Sequence, residues 1–336
     1  MVNPILVEVT RGTLVESVHR GSIAIADAAG TLKLALGDVV SPVYPRSSLK
    51  PIQAMPLVES GAAEAFGLGD EEVALACASH SGERMHTVRV AAWLERIGCT
   101  EADLACGPHP VRYEPVWRAM LARGEPPSRI HNNCSGKHAG FLTLARHLGV
   151  PVVGYEKHDH PVQQAVAKTL AELAGVGADM PWGVDGCGAP NFALPLAAFA
   201  RALATLADPT ARHAAAARRI VHAMASNPEL VSGTGRACAV LMRAGRGRVV
   251  VKTGAEGVFA GIVPELGIGI ALKIDDGATR ASETVIAALL EKLGLLHGDG
   301  AAAELIRAPI TNTRDAAVGE RRPAAALNEL NFDRLR

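Results

Sequence analysis

The chain has 336 residues, 49% of them hydrophobic and 20% charged, a balance that folds into a globule and does not stay disordered. Lysine plus arginine number 34 and aspartate plus glutamate also 34, so no net charge draws the chain to nucleic acid or to an anionic membrane surface. No apolar run reaches the roughly 18 residues of a membrane-spanning helix, and the N-terminus carries charge by Glu8 and Arg11 in place of an apolar leader, so a cytoplasmic protein is expected.

Taken in chain order, ILVEV (5–9), LVESV (14–18) and SIAIA (22–26) are β-branched runs that read as strands, with Gly12 and Gly21 in the gaps and a turn after Asp27. Small and apolar residues from Ser48 to Phe66 suit a helix, and residues 70–78 suit a shorter one. In 83–97 the apolar residues Val88, Ala91, Ala92, Leu94 and Ile97 recur with helical period. The Pro/Gly-rich CGPHPVRYEP (106–115) breaks the pattern. Helices resume at Gly136–Leu148, then at 161–175, 193–206 and 211–226. ACAVLMRAG (237–245), GRVVVKTGAEGVFAGIV (247–263) and GIGIALKIDDG (267–277) read as strands with glycine turns. A last helix over 282–296 precedes a proline-broken tail. The expectation is one domain over 1–336 of α+β class. Strands from 5–40 and 236–275 share one sheet flanked by helices, and 48–230 is mainly helical.

The six cysteines, Cys77, Cys99, Cys106, Cys134, Cys187 and Cys238, are widely and irregularly spaced, as buried free thiols are. Three short motifs carry more chemistry. In PRSSLK (45–50), Ser47 and Lys50 are three apart, so a helix start puts them on neighbouring positions of one face. Pro51 fits a helix only in its first turn, which places Ser47 at or just before the start. Free N–H groups there favour an alkoxide, and a lysine in a dry pocket beside other cations can accept a proton. A serine cap followed by a solvent lysine is the plainer alternative. SHSGE (79–83) places Ser79, His80 and Ser81 ahead of a helix, as site residues or as its cap. Lys252-Thr253-Gly254 ends the Val249–Val251 run, either lining a cleft or making a turn. In this order the three are similar to the elements of penicillin-recognising serine enzymes. The middle one reads Ser79-His80-Ser81 where those enzymes have Ser-x-Asn.

A closer likeness extends over residues from about 5 to about 330. YPRSSLKPIQ (44–53), SHSGE (79–83), HNNCSGKHAG (131–140), DGCGAPNFALPL (185–196) and KTGAEGVF (252–259) together resemble the L-asparaginase II family of the rhizobial, inducible, thermolabile type. The resemblance implies a serine-β-lactamase-like fold with an antiparallel sheet of N- and C-terminal strands. It implies two serine–lysine pairs, on Ser47 with Lys50 and Ser79 with Lys252, and Zn2+ held by Cys134, Lys137 and Cys187. Lys273 lies near Lys252 in sequence and is the alternative for that position. Spacing alone leaves buried thiols in place of a metal set, with His131 and His138 as more conventional partners. Arg46 is a candidate for a bidentate contact to a substrate carboxylate. Asp185 is a candidate for binding substrate or supporting the ligands. The implied reaction is hydrolysis of L-asparagine to L-aspartate and ammonia by a homodimer without nucleic-acid or membrane partners. The alternatives are a glutaminase or other serine amidohydrolase, and a zinc- or amino-acid-binding protein without activity.

Overall fold

The computed structural model describes residues 2–208, 210, 212–297 and 300–332. The chain divides into two compact units, each discontinuous in sequence. The first is Met1–Ser48 with Leu194–Ala211 and Val240–Arg336, the second Leu49–Ala193 with Arg212–Ala239.

The first unit is built on one antiparallel sheet. Its strands are β1 (Ile5–Arg11), β2 (Leu14–Asp27), β3 (Leu32–Leu36), β4 (Val250–Thr253), β5 (Val258–Val263), β6 (Ile268–Ile274), β7 (Ala308–Thr311) and β8 (Ala317–Pro323). They lie in the order β7-β8-β1-β2-β6-β5-β4, with β3 also paired to β2. This is the expected α+β arrangement, in which strands from both ends of the chain share one sheet. The expected break at Gly21 is absent: β2 runs unbroken through it. A Cβ at Gly21 would lie 2.3 Å from Lys273 O, so glycine there permits close approach to β6 and does not end a strand.

Two more glycines show how the sheet is covered. Ile270 pairs with Gly261 and Gly269 with Ile262. A Cβ at Gly261 would touch Ile286, on helix Thr279–Lys292, at 3.6 Å, and one at Gly269 would overlap Ala200 O, on helix Leu196–Ala207, at 2.1 Å. Side chains of successive strand residues alternate faces, so the two helices cover opposite faces of β5 and β6. Every residue of β5 is accordingly buried.

ACAVLMRAG forms the helix Ala237–Ala244, not a strand, and the C-terminal strands begin at Val250, not 236. Alanine, leucine, methionine and arginine are the strongest helix formers, and that preference outweighs the apolar run. The tail adds β7 and β8. Pro309 is tolerated because β7 is an edge strand, and Glu320-Arg321-Arg322 hides the alternation of β8. Arg322 stands opposite Glu8 on β1 and pairs with it at 3.1 Å.

The second unit is mainly helical. The helix expected over 48–66 is three short ones, Lys50–Gln53, Met55–Glu59 and Ala62–Ala65. Pro56 has no N–H for Ile52 O, and Gly61 turns left-handed at φ +79°. Pro115 stands in the first turn of helix Glu114–Ala122, so the Pro/Gly-rich stretch starts a helix as well as ending one. Helix Ser135–Leu148 is the centre of the unit: every residue from Ser135 to Ala145 is buried. Helices Met55–Glu59, Ala62–Ala65, Asp70–Ala76, Arg84–Arg96 and Pro161–Ala174 pack on it. A Cβ at Gly136 would lie 2.3 Å from Leu75 O, which fixes glycine at that crossing. Among the described residues no helix is long and apolar enough to cross a membrane.

Candidate active site

Ser47 and Lys252 belong to the first unit. Ser47 is half-buried in the 3-10 turn Arg46–Leu49. Arg46 before it sits in the left-handed region at φ +54°, costly for a residue with a Cβ. Ser48 closes the turn by donating from Oγ to Pro45 O at 2.6 Å. Lys252 ends 1% exposed on β4, and its Nζ donates to Thr253 O at 2.9 Å. A Cβ at Gly254 would lie 2.6 Å from Pro45 O, so the Lys-Thr-Gly backbone runs directly against the turn that carries Ser47. Lys273, on β6, is half-buried, and burial holds its amine below the ordinary lysine range.

Lys50 and Ser79 belong to the second unit. Lys50 is not a solvent lysine: its side chain is fully buried. Nζ donates to Ser79 Oγ at 3.0 Å, to Ala78 O, and to Asn133 O at 3.5 Å. Nζ thus lies within reach of three neutral oxygens, one of them a hydroxyl. The Ser79 backbone is pinned on both sides. Its N–H donates to Val231 O at 2.9 Å, and its carbonyl accepts from Arg236 Nη1 at 2.9 Å.

The rest of SHSGE holds that loop. His80 Nδ1 accepts from the Gly82 N–H at 3.1 Å, so Nε2 carries the proton and donates to Ser135 Oγ at 2.9 Å. Ser135 Oγ in turn donates to Ile130 O at 2.9 Å. Burial, and then the stacked His86 at 4.8 Å between ring centres, hold His80 well below the ordinary imidazole value. Glu83 accepts from Ser81 Oγ at 2.5 Å, from the Thr234 N–H at 2.9 Å and from Thr234 Oγ1 at 2.7 Å. Burial raises the Glu83 carboxyl, but these hydrogen bonds outweigh it and hold it below the usual carboxylate range. Gly233 completes the clamp at φ +124°, where a Cβ would lie 1.9 Å from Ser81 Oγ.

Cys134, Lys137 and Cys187 converge, and all are buried. Cys134 is the N-terminal cap residue of helix Ser135–Leu148, and Lys137 follows within its first turn. Cys187 stands at the tip of the hairpin Trp182–Val184/Pro190–Phe192. The Asp185 N–H to Ala189 O bond of 2.9 Å and Gly188 at φ +91° make that turn. Lys137 Nζ donates to Cys187 Sγ at 3.0 Å. A hydrogen bond from the Cys134 thiol, with burial, pushes Cys134 up to about 12. The same bond and the Lys137 charge pull Cys187 well below the ordinary thiol value against the pull of burial. Burial lowers the Lys137 amine, but the sulfurs of Cys187 and Cys134 outweigh it and raise it. Asp185, half-buried, adds negative charge beside Lys137.

Two sulfurs, one of them thiolate-like, and an amine within hydrogen-bond reach suit zinc once Cys134 and Lys137 release their protons. Among the described residues no group of three or more His, Cys, Asp or Glu is arranged to hold a metal, so His131 and His138 complete no such set. His138 instead shares a 2.6 Å hydrogen bond with the Tyr155 hydroxyl, and its Nε2 is buried without a partner. All six cysteines are buried thiols, as expected, and none is in a disulfide.

The second unit therefore brings Lys50 to Ser79 and gathers Cys134, Lys137 and Cys187. The first sets the Ser47 turn against the Lys252 strand. Sequence reasoning passed over Thr234 and Arg236. Their signal was SGTGR (232–236), a glycine-rich turn carrying one cation between two helices.

The family model described as L-asparaginase II matches residues 7–323. No curated protein sequence matches the chain. A solved structure of Mglu in its native form is 17% identical over 84% of this chain and 66% of that one, with a TM-score of 0.49. The chain thus spans just under two thirds of the length of that structure. Simvastatin synthase from Aspergillus terreus is 10% identical over 78% of this chain and 90% of its own, with a TM-score of 0.39. A β-lactamase from Mycobacterium bovis is 12% identical over 82% and 95%, with a TM-score of 0.36. At these scores the likenesses carry no argument, and the α+β architecture rests on the strand order itself.

Proposed function

The chain belongs to the L-asparaginase II family, a family of amidohydrolases, and from that membership we propose that it hydrolyses the side-chain amide of L-asparagine to L-aspartate and ammonia by serine–lysine catalysis. One observation carries the chemistry: a fully buried Lys50 amine that donates to the Ser79 hydroxyl at 3.0 Å. A buried amine joined to a hydroxyl is what a proton relay needs and what a binding protein does not.

In this reading Ser47 attacks the amide carbon and Lys50, three residues on, takes its proton. The Lys50–Ser79 hydrogen bond offers that proton a route to Ser79 and from there to the departing ammonia. Ser79 and Lys252 act as the second couple. Water then cleaves the acyl-enzyme, with the Lys50–Ser79 relay run in reverse. Arg46 and Asp185 are assigned to substrate contacts. Zinc held by Cys134, Lys137 and Cys187 would supply Lewis-acid positioning of the substrate. A cytoplasmic homodimer is part of the same proposal.

The test is ammonia release from L-asparagine and from L-glutamine by the parent protein and by Ser47→Ala. Asparagine turnover that falls at least about a thousandfold in the variant is expected. Glutamine turned over faster than asparagine would make the protein a glutaminase. A variant as active as the parent would remove Ser47 as the nucleophile.

A further inference from the structure

The segment that carries Ser79 lies in an unusually positive setting, and one part of it has no role so far. Arg236 Nη1 donates to Ser79 O at 2.9 Å and reaches Ser232 O at 3.5 Å. Arg112 joins the same segment through its backbone, whose N–H donates to Ser81 O at 3.0 Å. The two arginines therefore flank one short stretch, Ser79–Ser81, whose hydroxyl already faces the Lys50 amine. Their charges interact: partial desolvation and then the Arg236 charge hold the Arg112 guanidinium below the ordinary arginine range. His109, half-buried, is lowered by burial and then by Arg112, with Arg236 adding to the effect. Among the described residues no aspartate or glutamate forms a hydrogen bond or ion pair with Arg112 or Arg236. Elsewhere on this chain the arginines at 11, 89, 118, 123, 219, 248, 307 and 322 do pair with carboxylates.

Two like charges beside one backbone segment, neither paired with a carboxylate, favour an arriving anion, with solvent screening the effect at the exposed Arg112 and less so at the half-buried Arg236. The guanidinium fork suits a carboxylate, which it binds through paired N–H bonds. The hydroxyl–amine pair beside it is where the proposed reaction occurs. We propose that Arg112 and Arg236 form the pocket that takes the α-carboxylate of the amino-acid substrate. The pocket would thereby select free amino-acid amides over amides that lack the carboxylate. This rests on the amidohydrolase reading above and assigns to these two residues a task that sequence motifs pointed toward Arg46.

The experiment is calorimetric titration of L-aspartate, the proposed product, into the parent, Arg112→Gln and Arg236→Lys. Circular dichroism melts verify that each variant is folded. β-Alanine, which is aspartate without the α-carboxylate, is the control ligand. Aspartate binding weaker by about tenfold or more in Arg112→Gln is expected, the usual loss for a charge-assisted hydrogen bond. Arg236→Lys keeps the charge but loses the fork and should fall between the two. β-Alanine should not distinguish the three proteins, whereas a general structural disturbance would shift both ligands together. No aspartate binding to the parent, equal aspartate affinity in all three, or a parallel shift for β-alanine would overturn the pocket. Ammonia release from asparagine by the parent is read separately. If it is absent while the aspartate affinities differ as expected, the function reading fails and the pocket stands.

Discussion

Glu83 shows at the scale of one residue how the site is held. Its carboxylate ties Ser81 to Thr234 through three hydrogen bonds, across a glycine at φ +124°. Gly233→Ala should therefore destabilise the fold by about 2 kcal/mol or more, through both the strained φ and the overlap with Ser81 Oγ. A urea midpoint unchanged from the parent would show that the clamp is slack. The same network sets an acid limit. His80 and His86 are held below 6.5, in each case first by burial, and Glu83 below its ordinary carboxyl value. A folded imidazole with a lowered pKa stays neutral while the unfolded one takes up a proton below about 6.5. The unfolded state then binds more protons, so this stability is present above about 6.5 and is lost as pH falls toward the folded values. Glu83 acts in the same direction at lower pH, its contribution being lost as pH falls through its folded value. In chelator-treated protein the urea midpoint should drop between pH 7 and pH 5, and His86→Asn should flatten that slope. A parent midpoint constant over that interval would refute the account. For the metal set, Cys187→Ser should lower bound zinc, measured by elemental analysis after loading and desalting, from about one per chain to near zero. Full zinc content in the variant would dismiss the Cys134–Lys137–Cys187 assignment.

Helix Ser135–Leu148 is the element on which the site depends. It is buried all round from Ser135 to Ala145, and it delivers Ser135 to His80 and Lys137 to Cys187 from one turn. Gly136 allows that delivery, because a methyl group there would meet the Leu75 carbonyl at 2.3 Å. Backbone cannot step aside as a side-chain end can. Gly136→Ala should cost roughly 3 kcal/mol, against the gain of up to ~1 kcal/mol that alanine usually gives inside a helix. Gly107→Ala, with nothing within 4 Å, serves as the control and should leave the thermal midpoint within about two degrees. Equal shifts in the two variants would contradict the packing argument. The same helix was plain in the sequence because Phe141, Leu142, Ala145 and Leu148 recur with helical period among polar residues. The 237–244 helix was misread as a strand because a short buried apolar run has no periodicity to separate the two. β8 was missed for the opposite reason, since its arginines and glutamate sit on a half-exposed strand and read as solvated tail. Ser47, Lys50, Cys134 and Cys187 were legible because their blocks resemble a family. Arg112, Arg236 and Thr234 were not, because hydrogen bonds from remote segments give them their place.

For the molecule as a whole, the decisive fact is that each unit is assembled from separate stretches of chain. In the second unit, helix Ala214–Ser226 packs on helices Asp70–Ala76 and Met55–Glu59, although some 140 residues lie between. A fragment of residues 49–193 lacks that cover and should show no cooperative urea transition by circular dichroism. A sharp transition at the parent's midpoint would mean that the helices 49–193 suffice. The sheet of the first unit is more extreme, for Gly21 pairs with Ile274 and Val7 with Pro323. On the ribosome the early hairpin must wait while some 250 residues emerge, on the order of ten to fifty seconds at ordinary rates of synthesis. Through that interval the apolar half of β2 has only the short, exposed β3 beside it and lacks β6 on its other edge, so heat or rapid overproduction should trap newborn chains as aggregates well before it harms finished ones. Yield would then be set by chaperone supply and growth temperature more than by the ruggedness of the mature protein.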